Sequence, residues 1–282
     1  MHSLYQNPVI ILKILFIKLM NEFIYHYTSI ETLALILKNK NIRFNSIKNV
    51  DDINETEFSD ENGLNFSHHT LISCWTDNED ENLAFWNMYT PNMQGVRIKL
   101  PRSIFKIYEF YSSEDLFMQP GTLIRNSLLR KEECFTKDYW IIPFTTHFFK
   151  VQYTDDEKLL KPQIFHINDD IYTFKAGNIG LYKSKTWAFQ NEVRFKLFVL
   201  PARDKYGNSF NPLNNFMKII EDKLESPLDE FYLPICEDIF SKMEITLGPK
   251  SNYSQELIVN ALIEKYNPSA LLNKNRLSGL IK

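Results

Sequence analysis

The sequence reads as an α+β protein with a mixed β-sheet core and flanking helices, and three observations lead there. Strand-length apolar segments mix with amphipathic helical ones, without the regular strand–helix–strand order of a doubly wound sheet. Apolar residues make up 44% of the chain and charged residues 24%, a mixture that buries a core and is unlike a disordered chain. The length, 282 residues, suits one large domain or two small ones, and no repeat, heptad run or Pro/Ser-rich linker interrupts it.

Residues 9–17, VIILKILFI, are strongly apolar but shorter than the ~20 residues that span a bilayer. Met20-Asn21-Glu22 follows without a small-residue cleavage site. Residues 1–21 are therefore expected to be an apolar extension upstream of a start at Met20. A docking helix and a targeting segment are the other readings, and 22–282 is expected to be a single domain. Residues 22–27 (EFIYHY) read as a strand, and 30–39 as an amphipathic helix opened by Thr28 or Ser29. Residues 42–44 are short and extended, whereas 45–62 are too polar for a core and read as a loop.

The segment TLISCWT (70–76) reads as a buried strand. Asp77 to Tyr89 reads as a capped acidic start followed by a helix carrying Leu83, Phe85, Trp86 and Tyr89 and ended by Pro91. A strand follows at 95–100. Over 113–180 the pattern is weakest: a helix at 122–133, a strand at 147–153 and a short helix before Pro162. The clearest strand is 192–200, EVRFKLFVL, which sets Glu192, Arg194 and Lys196 on one face and Val193, Phe195, Leu197 and Val199 on the other. A helix (213–225), two strands (230–235, 242–247) and a helix (254–266) complete the chain.

Several function classes drop out. With 32 Lys and Arg against 35 Asp and Glu the formal charge is −3, which lacks a basic nucleic-acid footprint. A local rim is left open, with Arg125, Arg130, Lys131, Tyr139 and Trp140 as weak candidates. Cys74, Cys134 and Cys236 offer neither a disulfide framework nor a zinc pair, so a reducing, cytoplasmic location and no membrane are expected. No GxGxxG, HExxH or GxSxG occurs, and GPKS at 248–251 lacks the leading glycine of a phosphate loop. His68 and His69 would face opposite ways in a strand, so no metal is expected, and Cys74 reads as a buried inert thiol.

Three places carry groups that packing alone does not ask for. Tyr25-His26-Tyr27-Thr28 ends the first strand where helix N–H groups open, a corner suited to an anionic or sugar-bearing ligand. Taken alone, the corner is better explained by Thr28 or Ser29 capping the helix and His26 as a structural histidine. Phe85, Trp86 and Tyr89 share a helix at core spacing, yet Tyr89 falls in the last turn, where its ring can stack on a flat heterocycle. Lys183-Ser-Lys-Thr-Trp187 leads to Glu192-Val-Arg194, a carboxylate flanked by cations; a solvated Glu–Arg pair is the alternative.

In order, YHYTS, IRFNSIKNVDDINETEF, ISCWT, FWNMYTPNMQGVRI and KTWAFQNEVRF resemble an uncharacterised bacterial domain family over about residues 23–275. Asp52 and Glu55 match its acidic motif, Ile53 replaces its proline, and of the later acidic pair only Glu192 carries over. More distantly, the His-Tyr-Glu order is similar to the ADP-ribosyltransferase superfamily, whose DNA-modifying toxins also open on a Tyr-His-x-Thr corner. That resemblance implies a split-sheet domain that uses NAD as a substrate. His26 would bind its ribose with help from Thr28, Tyr27 and Arg43 would also contact NAD, Tyr89 would stack on nicotinamide, and Glu192 would be the catalytic carboxylate beside His26 and Tyr89. Lys183 and Arg194 would neutralise the diphosphate. It also implies a toxin or anti-phage effector with a nucleic-acid or protein acceptor and an antitoxin or regulatory partner. An NAD glycohydrolase and a non-catalytic nucleotide- or protein-binding module are the alternatives.

Overall fold

The computed structural model describes residues 22–56, 65–112, 121, 123–143, 147–168 and 171–281, so the expected extension over 1–21 lies outside them. The strands are β1 (Phe23–Thr28), β2 (Asn41–Ser46), β3 (Thr70–Thr76), β4 (Val96–Pro101), β5 (Tyr108–Tyr111), β6 (Leu123–Ser127), β7 (Tyr139–Ile141) and β8 (Phe148–Lys150). Then come β9 (Gln152–Thr154), β10 (Phe165–Asn168), β11 (Ile171–Phe174), β12 (Tyr182–Ser184), β13 (Glu192–Pro201), β14 (Glu230–Pro234), β15 (Glu244–Leu247) and β16 (Leu271–Asn273). The chain divides into two compact units. One holds the described parts of Met1–Lys38, Trp75–Ile104 and Glu237–Lys282, the other Asn39–Cys74 and Phe105–Cys236.

In the first unit β1 pairs antiparallel with β4 along its length, from Phe23↔Pro101 to Thr28↔Val96. Its Tyr25 also pairs with Thr76 at the end of β3. β4 pairs antiparallel with β15, and β15 parallel with β16. The helix Ile30–Asn39 starts where Ser29 Oγ accepts from Thr32 N at 3.1 Å, and its 3.6-residue period buries Leu33, Ile36 and Leu37. The helix Tyr253–Tyr266 opens with a reciprocal Asn252–Gln255 capping box.

In the second unit β14, β2 and β3 form an antiparallel set. β13 pairs antiparallel with β8 near its start and with β7 near its end. β9 and β12 run parallel, and β5–β6 and β10–β11 are antiparallel pairs. Ile47, Phe66, Ile72, Ile142, Ile164, Phe198 and Ile219 fill the core. The protein is α+β with mixed, largely antiparallel pairing. No helix among the described residues is long and apolar enough to cross a membrane.

Several local expectations change. The segment expected as a helix over 122–133 is the strand β6 followed by a single helical turn, Lys131–Cys134, because pairing with β5 overrides helical spacing. After the acidic start the helix runs over Leu83–Tyr89, capped by Asn82 Oδ1 accepting from Ala84 N at 2.8 Å. The strand 147–153 breaks at Val151, whose N–H donates to Glu192 O. The polar stretch 45–62 contains a helical turn, Ile53–Thr56, that buries Glu55, although 57–64 lie outside the described residues. β13 is buried on both faces, charged residues included.

Candidate functional site

The second unit places charge where apolar packing would be expected. Glu192 opens β13, directly after Asn191 turns the chain in a left-handed conformation (φ 41°). The Glu192 backbone N–H donates to Tyr153 Oη at 2.8 Å, which ties the strand start to β9. Arg194 lies two residues on, on the same face, and its guanidinium divides between two carboxylates. Nε and Nη2 donate to Glu192 at 2.6 and 3.0 Å, and Nη1 and Nη2 donate to Glu55 at 2.6 and 3.0 Å. Nη1 also donates to the Gly180 carbonyl at 2.9 Å.

Lys183 on β12 completes the cluster. Its Nζ donates to Glu192 Oε2 at 3.2 Å and Gln190 Oε1 at 2.9 Å, stands 3.4 Å from Glu55 Oε1, and lies 4.8 Å from the Trp187 ring centre. Glu192 is 6% exposed and Arg194 1%, so this is no solvated surface pair. Burial works against the charged form of Glu192, but Arg194 and Lys183 outweigh it and hold the carboxyl at about 2. Burial pulls the Arg194 pKa down, yet the two carboxylates raise it overall. The Cys74 thiol hydrogen-bonds Glu192, and burial, then Glu192, push its pKa well up, so it stays a thiol.

A recess beside the cluster is lined by Asn54, Glu55, Asn178, Gly180 and Tyr182. Its cavity volume of ≈ 20 Å³ admits about one water. Asp52 is buried one turn before Glu55. Its Oδ1 accepts from Asn54 N at 3.0 Å, while Oδ2 has no partner among the described residues.

The first unit holds the aromatic corner. Tyr27 packs against Phe85 and edge-on against Trp86, at centroid separations of 5.0 and 4.8 Å. Its hydroxyl accepts from Asn82 N at 3.3 Å. Tyr89 leans on Phe85 at 5.3 Å and is half-buried. The half-buried His26 ring lies 5.1 Å from Trp75, and Thr28 is buried. Gly95 allows the close approach here, since a Cβ on it would come within 2.2 Å of Thr28 O.

Of the residues expected at a site, Lys183, Glu192 and Arg194 share one cluster, and Tyr27 and Tyr89 share one aromatic corner with His26 and Thr28 on the strand beside it. Arg43 instead pairs with Glu230 at 3.6 Å, both side chains about half exposed. The cluster's second carboxylate, Glu55, is absent from the expected set, although the family's acidic motif pointed at it. Tyr153, Gln190 and the Gly180 carbonyl are also additions, and no local pattern flags them. Among the described residues no group of three or more His, Cys, Asp or Glu is arranged to hold a metal ion. No protein-family model, curated protein or solved structure matches the chain.

Proposed function

We propose that the protein is an ADP-ribosyltransferase-like enzyme that cleaves NAD at the bond between nicotinamide and ribose and passes ADP-ribose to a nucleic-acid or protein acceptor. The observation that carries this reading is Glu192, ionised at all physiological pH and fixed at the first position of a strand by Arg194 and Lys183. Breaking the C1′–N bond sends its electron pair to the pyridinium nitrogen and leaves an oxocarbenium-like sugar, as in glycoside hydrolysis. A carboxylate hydrogen-bonded to a ribose hydroxyl stabilises that charge more in the transition state than in the ground state. Both Glu192 oxygens are engaged at rest. A diphosphate taking Lys183 would leave Arg194 Nη2 as the donor on Oε2 and open that oxygen's other lone pair to a ribose hydroxyl, and the acceptor nucleophile would give its proton to solvent as it attacks C1′.

The burial of Glu192 also favours a second reading, a non-catalytic nucleotide- or protein-binding module in which the network only holds the unit together. Nicotinamide release by wild type and Glu192→Gln, at matched folded concentration with RNA, DNA and protein acceptors, separates the two. The enzyme reading expects a drop of about 100-fold, about 2.7 kcal/mol of transition-state stabilisation, with NAD affinity little changed. Equal rates remove Glu192 from catalysis. No release by either protein, with NAD still bound, makes it a binding module, and release equal with or without acceptor makes it an NAD glycohydrolase. The roles implied for His26, Thr28 and Tyr89 belong to first-unit residues and need variants of their own.

A further inference from the structure

β12 leads straight into a 3-10 helix, Lys185–Gln190, and that helix brings two side chains to the Lys183 amine. Gln190 Oε1 accepts from Nζ at 2.9 Å, and the Trp187 ring lies against it, its centre 4.8 Å away. Trp187 is half-buried, and Phe189, 36% exposed, stands beside it with ring centres 6.2 Å apart and planes 32° from parallel. Gln190 is the buried residue of this helix, so the aromatic pair fills little core. The amine that rests on the indole also donates to Glu192 Oε2 at 3.2 Å. A single ammonium therefore joins the indole face to the carboxylate.

We propose that Trp187 is the nicotinamide platform of the Glu192 site and selects the oxidised, cationic form of the dinucleotide. The proposal rests on the NAD reading above. The indole face already holds a cation, the Lys183 ammonium, at cation–π distance. Once a diphosphate takes Lys183, that face is left to the ligand. The nicotinamide ring of NAD+ is itself a flat cation, a pyridinium that offers both stacking and cation–π attraction. It would arrive beside Glu192, because the amine it replaces touches that carboxylate. Cleavage carries the C1′–N electron pair onto the ring nitrogen, so the ring leaves as neutral nicotinamide and loses the attraction with its charge. Holding that charge favours bound substrate over the transition state, so the platform serves selection and release rather than the chemical step. The neutral ring of NADH gains no such attraction. Lys183 and Arg194 cannot supply this preference, since NADH carries the greater negative charge and a purely basic site would favour it.

Calorimetry on the full chain tests the proposal with three probes. They are NADH, ADP-ribose, and an NAD+ analogue whose nicotinamide ribose is replaced by a cyclopentane, so that its bond stays whole. Wild type is expected to bind the analogue about tenfold more tightly than NADH, the scale of a cation over an indole face. Trp187→Leu should bring those two affinities together, while ADP-ribose, which lacks the ring, keeps its wild-type affinity. Tyr89→Leu, in the first unit, should keep the whole preference. If Trp187→Leu does not fold, Trp187→Phe takes its place, and an undiminished preference there overturns the proposal. Wild type that binds ADP-ribose without preferring the analogue to NADH overturns the platform and leaves the NAD reading standing. A preference that survives in Trp187→Leu, or falls with Tyr89→Leu, does the same. Wild type that binds none of the three overturns both.

Discussion

β1 and β13 carry the same kind of anomaly, polar groups in a strand that otherwise packs, and they resolve it by different physics. On β1, Tyr25 and Tyr27 are buried with neutral polar groups: the Arg97 guanidinium lies 4.7 Å from the Tyr25 ring, and Asn82 N donates to the Tyr27 hydroxyl. On β13, Glu192, Arg194 and Lys196 are buried as charges, and each needs a partner of opposite sign or a shell of carbonyls. Neutral polar groups in a strand need one hydrogen bond, whereas charged ones need a network whose removal in part is worse than removal in whole.

The comparison can be broken most forcefully at Arg194. Arg194→Met leaves Glu192 and Glu55 with Lys183 as their remaining cation, and the expected loss is about 3–5 kcal/mol in urea unfolding. Adding Glu55→Gln restores balance, so the double variant should be less destabilised than Arg194→Met alone; a loss equal to the sum of the two singles would show that these charges do not act as a network.

Acid sharpens it next. Burial holds the His69 ring at about 4, below its usual 6.5, so the unfolded chain takes up the proton first. Stability is then full above about pH 6.5 and declines by about 3 kcal/mol as pH falls to 4. Glu192 adds a second, lower window, its contribution present above the ordinary carboxylate value of 4.5 and lost as pH falls through about 2. Urea midpoints at pH 7 and pH 4 measure the first window, and His69→Gln should flatten it; an unaltered slope would trace the decline to another group. The smallest effect belongs to β1, where Tyr27→Phe removes the hydroxyl's bonds to Asn82 N and the Arg97 side chain and keeps the ring packing. About 1 kcal/mol is expected by thermal unfolding, and a loss of 3 kcal/mol or more would mean that the corner also depends on a polar network.

How much of this was legible in the sequence follows the range of the interactions. β1, β3, β4, β13 and the helices at 30–39 and 253–266 announce themselves through local periodicity and caps. β6 does not, because Leu123, Ile124, Leu128 and Leu129 also suit a helix, and only pairing with β5 decides between the two. The alternation of β13 singled out Glu192 and Arg194 as a costly pair, but it implied an open face on a strand that is covered on both sides. Glu55 stood in a stretch rich in Asp, Asn and Glu that looked solvated, and its counter-ion is 139 residues away. Lys196 looked like one more outward-facing cation, since the carbonyls that receive it come from a turn with no sequence marker.

The burial of the Glu192 pair has a kinetic consequence. In the resting arrangement Glu192 and Arg194 are covered and the neighbouring recess admits about a water, so a nucleotide cannot reach them by collision alone. Any ligand that engages the pair must await an opening, and the opening rate becomes a ceiling on association. Raising ligand concentration would speed binding at first and then cease to matter, with the plateau set by the protein's own motion and shared by every ligand that uses this route.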